Sequence, residues 1–358
     1  MHKYIYLGLY ILLFFVYLFS ITSLYICIVI YIQKSNLFDY IMKKLKESIK
    51  KQILIVGSTN TDMVIQAKRL PRPGETVIGG TFFMNPGGKG ANQAVACARL
   101  RGNVTFVCKT GNDIFGHQSH QIFKDEDINT SYVFSDLKKP SGVALIFVDE
   151  NAENCISVAS GANSNLLPAD ISLAEEAILK SDFVLMQLEI PIETVEFTAK
   201  LAKENGKIVI LNPAPAPTTP LSPDLLKNID LIIPNETEAE IISGIKVIDK
   251  ESAIQAAKKI IEMGVSNVII TLGSKGALLF DGKLTEFIPS FKVKAIDTTA
   301  AGDCFSGALT IALSEGRSLS DAIRFANKAA AISVTKQGAQ ASMPYRAEVD
   351  VCDFCQSE

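Results

Sequence analysis

The chain has 358 residues, more than a minimal domain needs and suited to one large α/β domain with a smaller appendage. Six lysines and two acids (Asp39, Glu47) fall in the first fifty residues, which leaves 29 basic against 36 acidic groups, about −7, on the rest. No basic block longer than a dipeptide stands out there, which argues against a nucleic-acid partner but not against a small anion in a local pocket.

Residues 4–32 carry no charged side chain and are almost wholly Tyr, Ile, Leu, Phe and Val. A spanning helix needs about 20 apolar residues, so the run is long enough to cross a bilayer with tilt. Tyr4, Tyr6 and Tyr31 suit its interfaces, and Lys34, Lys43, Lys44, Lys46, Lys50 and Lys51 behind it direct the rest of the chain to the cytosol. The run is too long for a cleaved signal peptide, and no A-x-A-like site ends it. Residues 1–50 therefore read as a hydrophobic leader, either a membrane tether through 4–32 or a targeting segment, or else as the product of a mistaken start site.

Beyond the leader, apolar β-branched runs alternate with helix-length segments. "QILIVGS" (52–58), "NVTFVCK" (103–109), "FVLMQLE" (183–189), "KIVILNP" (207–213), "LIIPN" (231–235) and "NVIITLG" (267–273) read as buried strands. Helices are expected at 90–101, 168–181, 192–205, 236–243 and 251–264. The alternation predicts an α/β fold with a Rossmann-like, mainly parallel sheet flanked by helices, the N-terminal hydrophobic helix lying outside it. At 62–68, 76–85, 142–150 and 155–160 strands follow one another without helices. They predict a small antiparallel β lid from about 60–85 and 140–160, which could also make a homodimer contact. Residues 51–350 form a single domain on this reading, with a tail at 351–358.

The seven cysteines are odd in number and scattered, as in a reduced cytosolic protein. Cys352-Asp353-Phe354-Cys355 is a lone C-x-x-C with no second cysteine pair nearby, and His117 and His120 read as surface residues.

Ligands of such sheets gather beyond the carboxyl ends of the strands, where the polar candidates of this chain fall. "GSTNTD" (57–62) offers Asn60 and Asp62, Glu189 closes one strand, and Asn235 closes another with Glu238 one turn later. "NPGGKGANQAVA" (85–96) is not a P-loop, because Gly90 rather than Ser or Thr follows Lys89. It is a glycine-rich turn feeding a helix, where backbone approaches a ligand closely. "TLGSKG" (271–276) is either a phosphate-facing turn or an ordinary one. In "DTTAAGDCFSGAL" (297–309) Gly302 precedes a helix start suited to anions, and Asp303 sits within it. Asp303 either caps that helix or accepts the proton of a hydroxyl activated beside a phosphate.

"NPGGKGANQA" and "DTTAAGD" resemble the two signature segments of the ribokinase-like carbohydrate kinases, the phosphofructokinase-B family. "GSTNTD", "EIP" after "LMQL", "LNPAPA", "PNETEAE", "ITLGSKG" and "AAISVTKQGAQASMP" extend the resemblance over about 51–350. It implies ATP-dependent phosphorylation of the 5-hydroxyl of D-ribose with Mg²⁺ on the nucleotide and K⁺ as activator. Asp303 would be the base, and Ala300, Ala301 and Gly302 the anion hole. Asn60, Thr61, Asp62, Gly88, Lys89, Gly90, Ala91, Asn92, Glu189 and Asp303 would line the sugar site. Asn235, Thr271, Leu272, Gly273, Ser274, Lys275, Gly276, Gly302, Asp303 and Asn327 would face ATP, and Glu238 would organise Mg²⁺ through water. Asp297, Thr299, Ser333, Lys336, Gly338 and Ser342 would hold K⁺.

The chain departs from the family pattern at Cys304, usually Thr or Asn, at Thr299, usually apolar, and in its leader. Another sugar or nucleoside kinase of the family is the nearest alternative. A membrane-tethered binder without turnover would require a damaged catalytic segment, yet Gly302 and Asp303 are both present.

Overall fold

A computed structural model of the chain describes residues 50–151 and 153–352, together with Tyr17 and Tyr25. The chain divides into two compact units, Met1–Lys50 and Lys51–Glu358. In the first, the described tyrosines are helical and exposed; the expected tether at 4–32 otherwise lies outside the described residues, as does Cys355. Among the described residues no helix is long and apolar enough to cross a membrane.

The second unit is built on a nine-stranded sheet. Its strands are β1 (Gln52–Val56), β4 (Asn103–Gly111), β5 (Asn129–Asp136), β8 (Phe183–Met186), β9 (Ile208–Leu211), β10 (Leu231–Ile232), β11 (Asn267–Thr271), β12 (Ala277–Phe280) and β13 (Thr285–Ile288). A second sheet holds β2 (Asn60–Gln66), β3 (Thr81–Gly87), β6 (Gly142–Val148) and β7 (Asn154–Ala159). The order in the large sheet is β13-β12-β11-β10-β9-β8-β1-β4-β5. Every pair from β11 to β5 is parallel, and β12 and β13 add an antiparallel margin.

Alternate side chains of the same strands feed two separate cores, which is why these runs are apolar throughout instead of alternating. Ile53, Ile55, Leu185 and Ile210 pack on one face; Leu54, Val56, Val184, Met186 and Val209 pack on the other. Seven helices of eight or more residues occur among the described residues: α1 (Lys89–Arg99), α2 (Ile114–Asp125), α3 (Ile192–Glu204), α4 (Glu236–Ser243), α5 (Lys250–Glu262), α6 (Ala301–Ser314) and α7 (Leu319–Ser333). Val95, Leu309 and Ile323 of α1, α6 and α7 join the first core; Val195 and Ile260 of α3 and α5 join the second.

The mainly parallel sheet and the small second sheet are those the sequence predicts. In the small sheet β2–β3 and β6–β7 pair antiparallel, while the central pair β2–β6 is parallel. The segment expected as one helix at 168–181 forms two, Pro168–Leu173 and Glu175–Lys180, broken at Ala174. Strands β5, β12 and β13 are not foreseen. β5 is a half-exposed edge strand with a weak apolar pattern, and β12–β13 is a hairpin of four-residue strands.

Candidate active site

Two helix starts meet beyond the carboxyl ends of the strands. Gly307 of α6 lies so near α1 that a Cβ there would fall 2.8 Å from that of Ala96. This close approach sets the first turn of α6 against the first turns of α1. The Asp303 carboxylate then bonds across the gap: Oδ2 accepts from Asn92 Nδ2 at 2.9 Å and Oδ1 from Gln93 Nε2 at 3.0 Å.

Asp303 therefore does not cap its own helix. The capping position is Ala300, in the left-handed region at φ 59°, and it makes no side-chain cap bond. The Ala301 amide donates to the Thr298 carbonyl and the Cys304 amide to that of Ala300. Between them the Gly302 and Asp303 amides have no acceptor among the described residues. Two free amides at a helix start attract an anion.

These groups line a cleft of about 200 Å³ with Lys89, Asn212, Ala214, Ile233, Asn235, Glu238, Thr271, Thr298 and Ser306. Burial raises the Asp303 carboxyl above the ordinary aspartate range; Lys89 and the two amide donors oppose it, and Glu189 adds to it. Burial alone would lower Lys89, but Asp303, Glu189, Glu238 and Asp62 together hold it above the usual lysine range. A fixed cation thus faces four acids, which keep it charged in spite of its burial. Cys304 is fully buried, and burial pushes its thiol up to about 12, so it packs as a neutral side chain behind Asp303.

Beside the cleft, the turn after β1 meets the glycine-rich turn. Gly88, with φ 87°, holds the capping position of α1; a Cβ there would lie 2.6 Å from the Asn60 amide nitrogen. The Ala91 amide donates to the Ser58 carbonyl. Glu189 Oε2 accepts from the Ser58 hydroxyl at 2.5 Å and the Lys89 amide at 3.0 Å, so the carboxylate sits at the start of α1. Asp62 projects from β2, and Thr61 beside it points to the other face, as strand alternation requires. Burial, then Glu189 and Asp303, pushes the Asp62 carboxyl up to about 6, with Lys89 in partial opposition.

Asn235 and Glu238 form a capping box at the start of α4: Asn235 Oδ1 accepts the Glu238 amide at 2.8 Å, and Glu238 Oε2 accepts the Asn235 amide at 2.9 Å. Burial raises the Glu238 carboxyl. Leu272, Ser274 and Lys275 line a larger cavity of about 700 Å³ with Glu236, Lys250 and Phe287. Gly273–Lys275 is a tight turn closed by Gly276, whose carbonyl accepts the Leu272 amide. Asn327 of α7 donates to the carbonyls of Ile288 and Pro289 and lines neither cavity.

Asp297 joins two loops, accepting the amides of Thr299 and Gly338 at 2.9 Å each. Ser333 and Ser342 turn their hydroxyls to nearby carbonyls, and Lys336 pairs with Glu348.

Four buried amides escape a reading by motif roles: Gln93, Gln187, Asn212 and Asn163. Asn163 is the clearest, since Oδ1 accepts the Thr59 amide while Nδ2 donates to the Thr59 carbonyl and to Asn60 Oδ1. It follows β7, 103 positions from Asn60, and its sequence context carries no signal of this.

The sequence matches the family model of the pfkB family carbohydrate kinases over residues 50–346. It is 46% identical over 300 residues to the ribokinase of Haemophilus influenzae, covering 84% of this chain and 97% of that one. It is 38% identical over 292 residues to the deoxyribokinase of Salmonella typhi, covering 82% and 95%. The structure of Arabidopsis thaliana ribokinase complexed with ribose and ATP matches with a TM-score of 0.79 at 35% identity, over 84% of this chain and 97% of that one.

Proposed function

We propose, from the premise that the chain belongs to the pfkB family of carbohydrate kinases, that it transfers the γ-phosphoryl group of ATP to the 5-hydroxyl of D-ribose. The likeness to a relative solved with ribose and ATP supports both substrates. One observation carries the chemistry: a buried carboxylate, turned away from its own helix, lies beside two unpartnered amides in one cleft.

Asp303 accepts the proton as the ribose oxygen bonds to the γ-phosphorus and the bond from that phosphorus to the ADP oxygen breaks. The Gly302 and Asp303 amides stabilise charge on the migrating group, and Lys89 adds a fixed positive charge. Phosphoryl transfer depends mostly on such positioning and electrostatics. Asn60, Asp62, Asn92 and Glu189 take the sugar hydroxyls, with Glu189 oriented by Ser58. Thr271 to Gly276 take the nucleotide, and Asn327 acts from behind, holding the Ile288 and Pro289 carbonyls beside that turn.

A divalent cation on ATP would neutralise phosphate charge. Glu238 fits a water-mediated hold on it, because its carboxylate is buried in the same cleft as Lys89 and Asp303. K⁺ would lie between the two loops that Asp297 joins through the Thr299 and Gly338 amides, with Asp297, Thr299, Ser333, Lys336, Gly338 and Ser342 as its candidate ligands.

The second sheet serves as a lid and homodimer contact on this reading. Phe82, Met84, Leu145, Ile156 and Val158 leave it with exposed apolar area. Reduced thiols at Cys97, Cys108 and Cys304 and the need for ATP favour the cytosol; membrane fractionation tests a tether through residues 4–32.

ATP consumption measured with ribose, deoxyribose, fructose and adenosine tests the assignment. Ribose should give the highest kcat/KM. A preference for deoxyribose would move the chain toward its Salmonella relative, and no turnover on any pentose would overturn the proposal.

A further inference from the structure

Gln93 follows Asn92 in α1 and is fully buried. Its Nε2 donates to Asp303 Oδ1 and to Asn212 Oδ1, both at 3.0 Å, and its Oε1 accepts from Gln187 Nε2 at 2.5 Å. Asn212, just past β9, donates in turn to the Ile233 carbonyl at 2.9 Å.

A backbone carbonyl can only accept, so Ile233 fixes which way the Asn212 amide faces. Asn212 then turns its oxygen to Gln93. Gln187, just past β8, donates from the other side and holds the Gln93 oxygen away from Asp303. Gln187 does so although its own Oε1 is left without a partner. Reversing the Gln93 amide would set oxygen against oxygen at Asp303 and at Asn212, so its orientation is locked from two directions. Asn92 differs. Its Nδ2 also donates to Asp303, but its buried Oδ1 has no partner, so no third group fixes its amide.

We infer that Gln93 is a positioning residue for the reaction proposed above. Held by Asn212 and Gln187, it presents only donor hydrogens to Asp303, aims the carboxylate and favours its ionised form over the neutral acid. The inference rests on Asp303 being the base. A base must be ionised to accept a proton, yet burial works against ionisation here. The charged groups around Asp303 are Lys89 at the start of α1, Glu189 beyond β8, Asp62 on β2 and Glu238 on α4. Lys89 favours the carboxylate and the three acids oppose it. None of them bonds to it, so direction comes from the two amides alone. Neither Gln93, Asn212 nor Gln187 titrates, and the relay keeps its polarity at every working pH.

The test compares the full chain with Gln93→Met, Gln187→Met and Asp303→Asn in ribose phosphorylation from acid to alkaline pH, with ribose and ATP binding followed by calorimetry. Methionine keeps the bulk of glutamine and removes its hydrogen bonds. Gln93→Met should lower kcat by about 10- to 100-fold, part of the roughly 10²–10⁴ that a general base contributes. KM for both substrates should stay within about three-fold. The acid limb of kcat should move to higher pH, because loss of a bond to the charged form raises the pKa of the carboxyl. Gln187→Met should move it the same way by less.

A wild-type kcat profile in Gln93→Met overturns the inference, and so does a lower kcat with an unmoved acid limb, which would mark a packing defect. If Gln93→Met does not fold, Gln187→Met decides on the same limb. Turnover surviving in Asp303→Asn would remove the base assignment itself, whereas a dead Asp303→Asn beside an unaltered Gln93→Met would remove only the relay.

Discussion

Asp297 and Gly338, 41 positions apart, are joined by a 2.9 Å hydrogen bond from the Gly338 amide to the Asp297 carboxylate. With the Thr299 amide on its other oxygen, Asp297 ties the loop leading into α6 to the loop that follows α7. Burial opposes its ionisation, but the Thr299 hydroxyl together with the Gly338 and Thr299 amides outweighs it and holds the carboxyl below the ordinary aspartate range. A group depressed in the folded state stabilises above its unfolded pKa and loses that contribution as pH falls through the folded one. The tie is therefore complete at neutral pH and fails only in acid.

Replacing K⁺ by a large inert cation should reduce turnover of the wild type, because a cation among these loop oxygens would steady the Ala300–Gly302 backbone. Asp297→Ala should lower stability by about 1 kcal/mol and make turnover indifferent to the cation. Kinetics in paired chloride salts, alongside thermal melts, measure both. Equal wild-type rates in the two salts would discard the K⁺ assignment.

Asp62 supplies a pH signature of its own. Its carboxyl is pushed up to about 6, so the unliganded protein protonates it as pH falls through that value. Accepting bonds from sugar hydroxyls needs the carboxylate; kcat/KM for ribose should fall below pH about 6, whereas kcat follows groups in the bound complex. Asp62→Asn should raise the ribose KM by roughly 10- to 100-fold, the worth of a charge-assisted hydrogen bond, and change the kcat/KM limb to the one that Asp303 alone imposes. The sign for stability is opposite. An acid raised on folding costs stability once ionised, so Asp62→Asn should melt higher at pH 7. An unchanged kcat/KM limb in the variant would acquit Asp62.

Much of this was legible in the sequence because buried parallel strands leave continuous apolar runs, as at Ile53–Val56 and Val184–Met186. The glycine-rich turn and the helix start at Asp303 announce themselves through local residue type. That Asp303 does not cap its own helix was not legible, because its bonds come from Asn92 and Gln93, more than two hundred positions away. Asn163 and Gln187 stayed hidden for the same reason: a buried amide gains its role from partners that only the fold assembles. Strand β5 was missed because an edge strand with Tyr132 and Phe134 only half-buried lacks the dense apolar pattern of its neighbours.

Gly90 should tolerate no side chain. A Cβ there would lie 2.6 Å from the Ser58 amide nitrogen and 2.7 Å from the Gly57 carbonyl carbon, all rigid backbone. Gly90→Ala must push α1 away from the end of β1, costing about 1–3 kcal/mol by overpacking. The same displacement carries Lys89, Asn92 and Gln93 away from Asp303, so kcat should fall along with the melting temperature. A variant with wild-type melting and turnover would mean that the turn yields more easily than these contacts allow.

Asn163 should act on ribose more than on ATP. Its amide satisfies three groups of the β1–β2 turn, the Thr59 amide, the Thr59 carbonyl and Asn60 Oδ1, all in a buried setting. Asn163→Ala leaves them without these partners and should cost about 2–4 kcal/mol, with Asn60 free to turn. The ribose KM should rise by about ten-fold or more while the ATP KM holds, since the nucleotide candidates lie on other loops. Asn163→Asp keeps an acceptor for the Thr59 amide but sets a carboxylate against two oxygens. It should be at least as damaging at neutral pH and partly recover in mild acid, where a protonated carboxyl can donate again. Steady-state kinetics at two pH values separate these outcomes; equal rises in both KM values would show a general loosening of the fold in place of a local role at the sugar site.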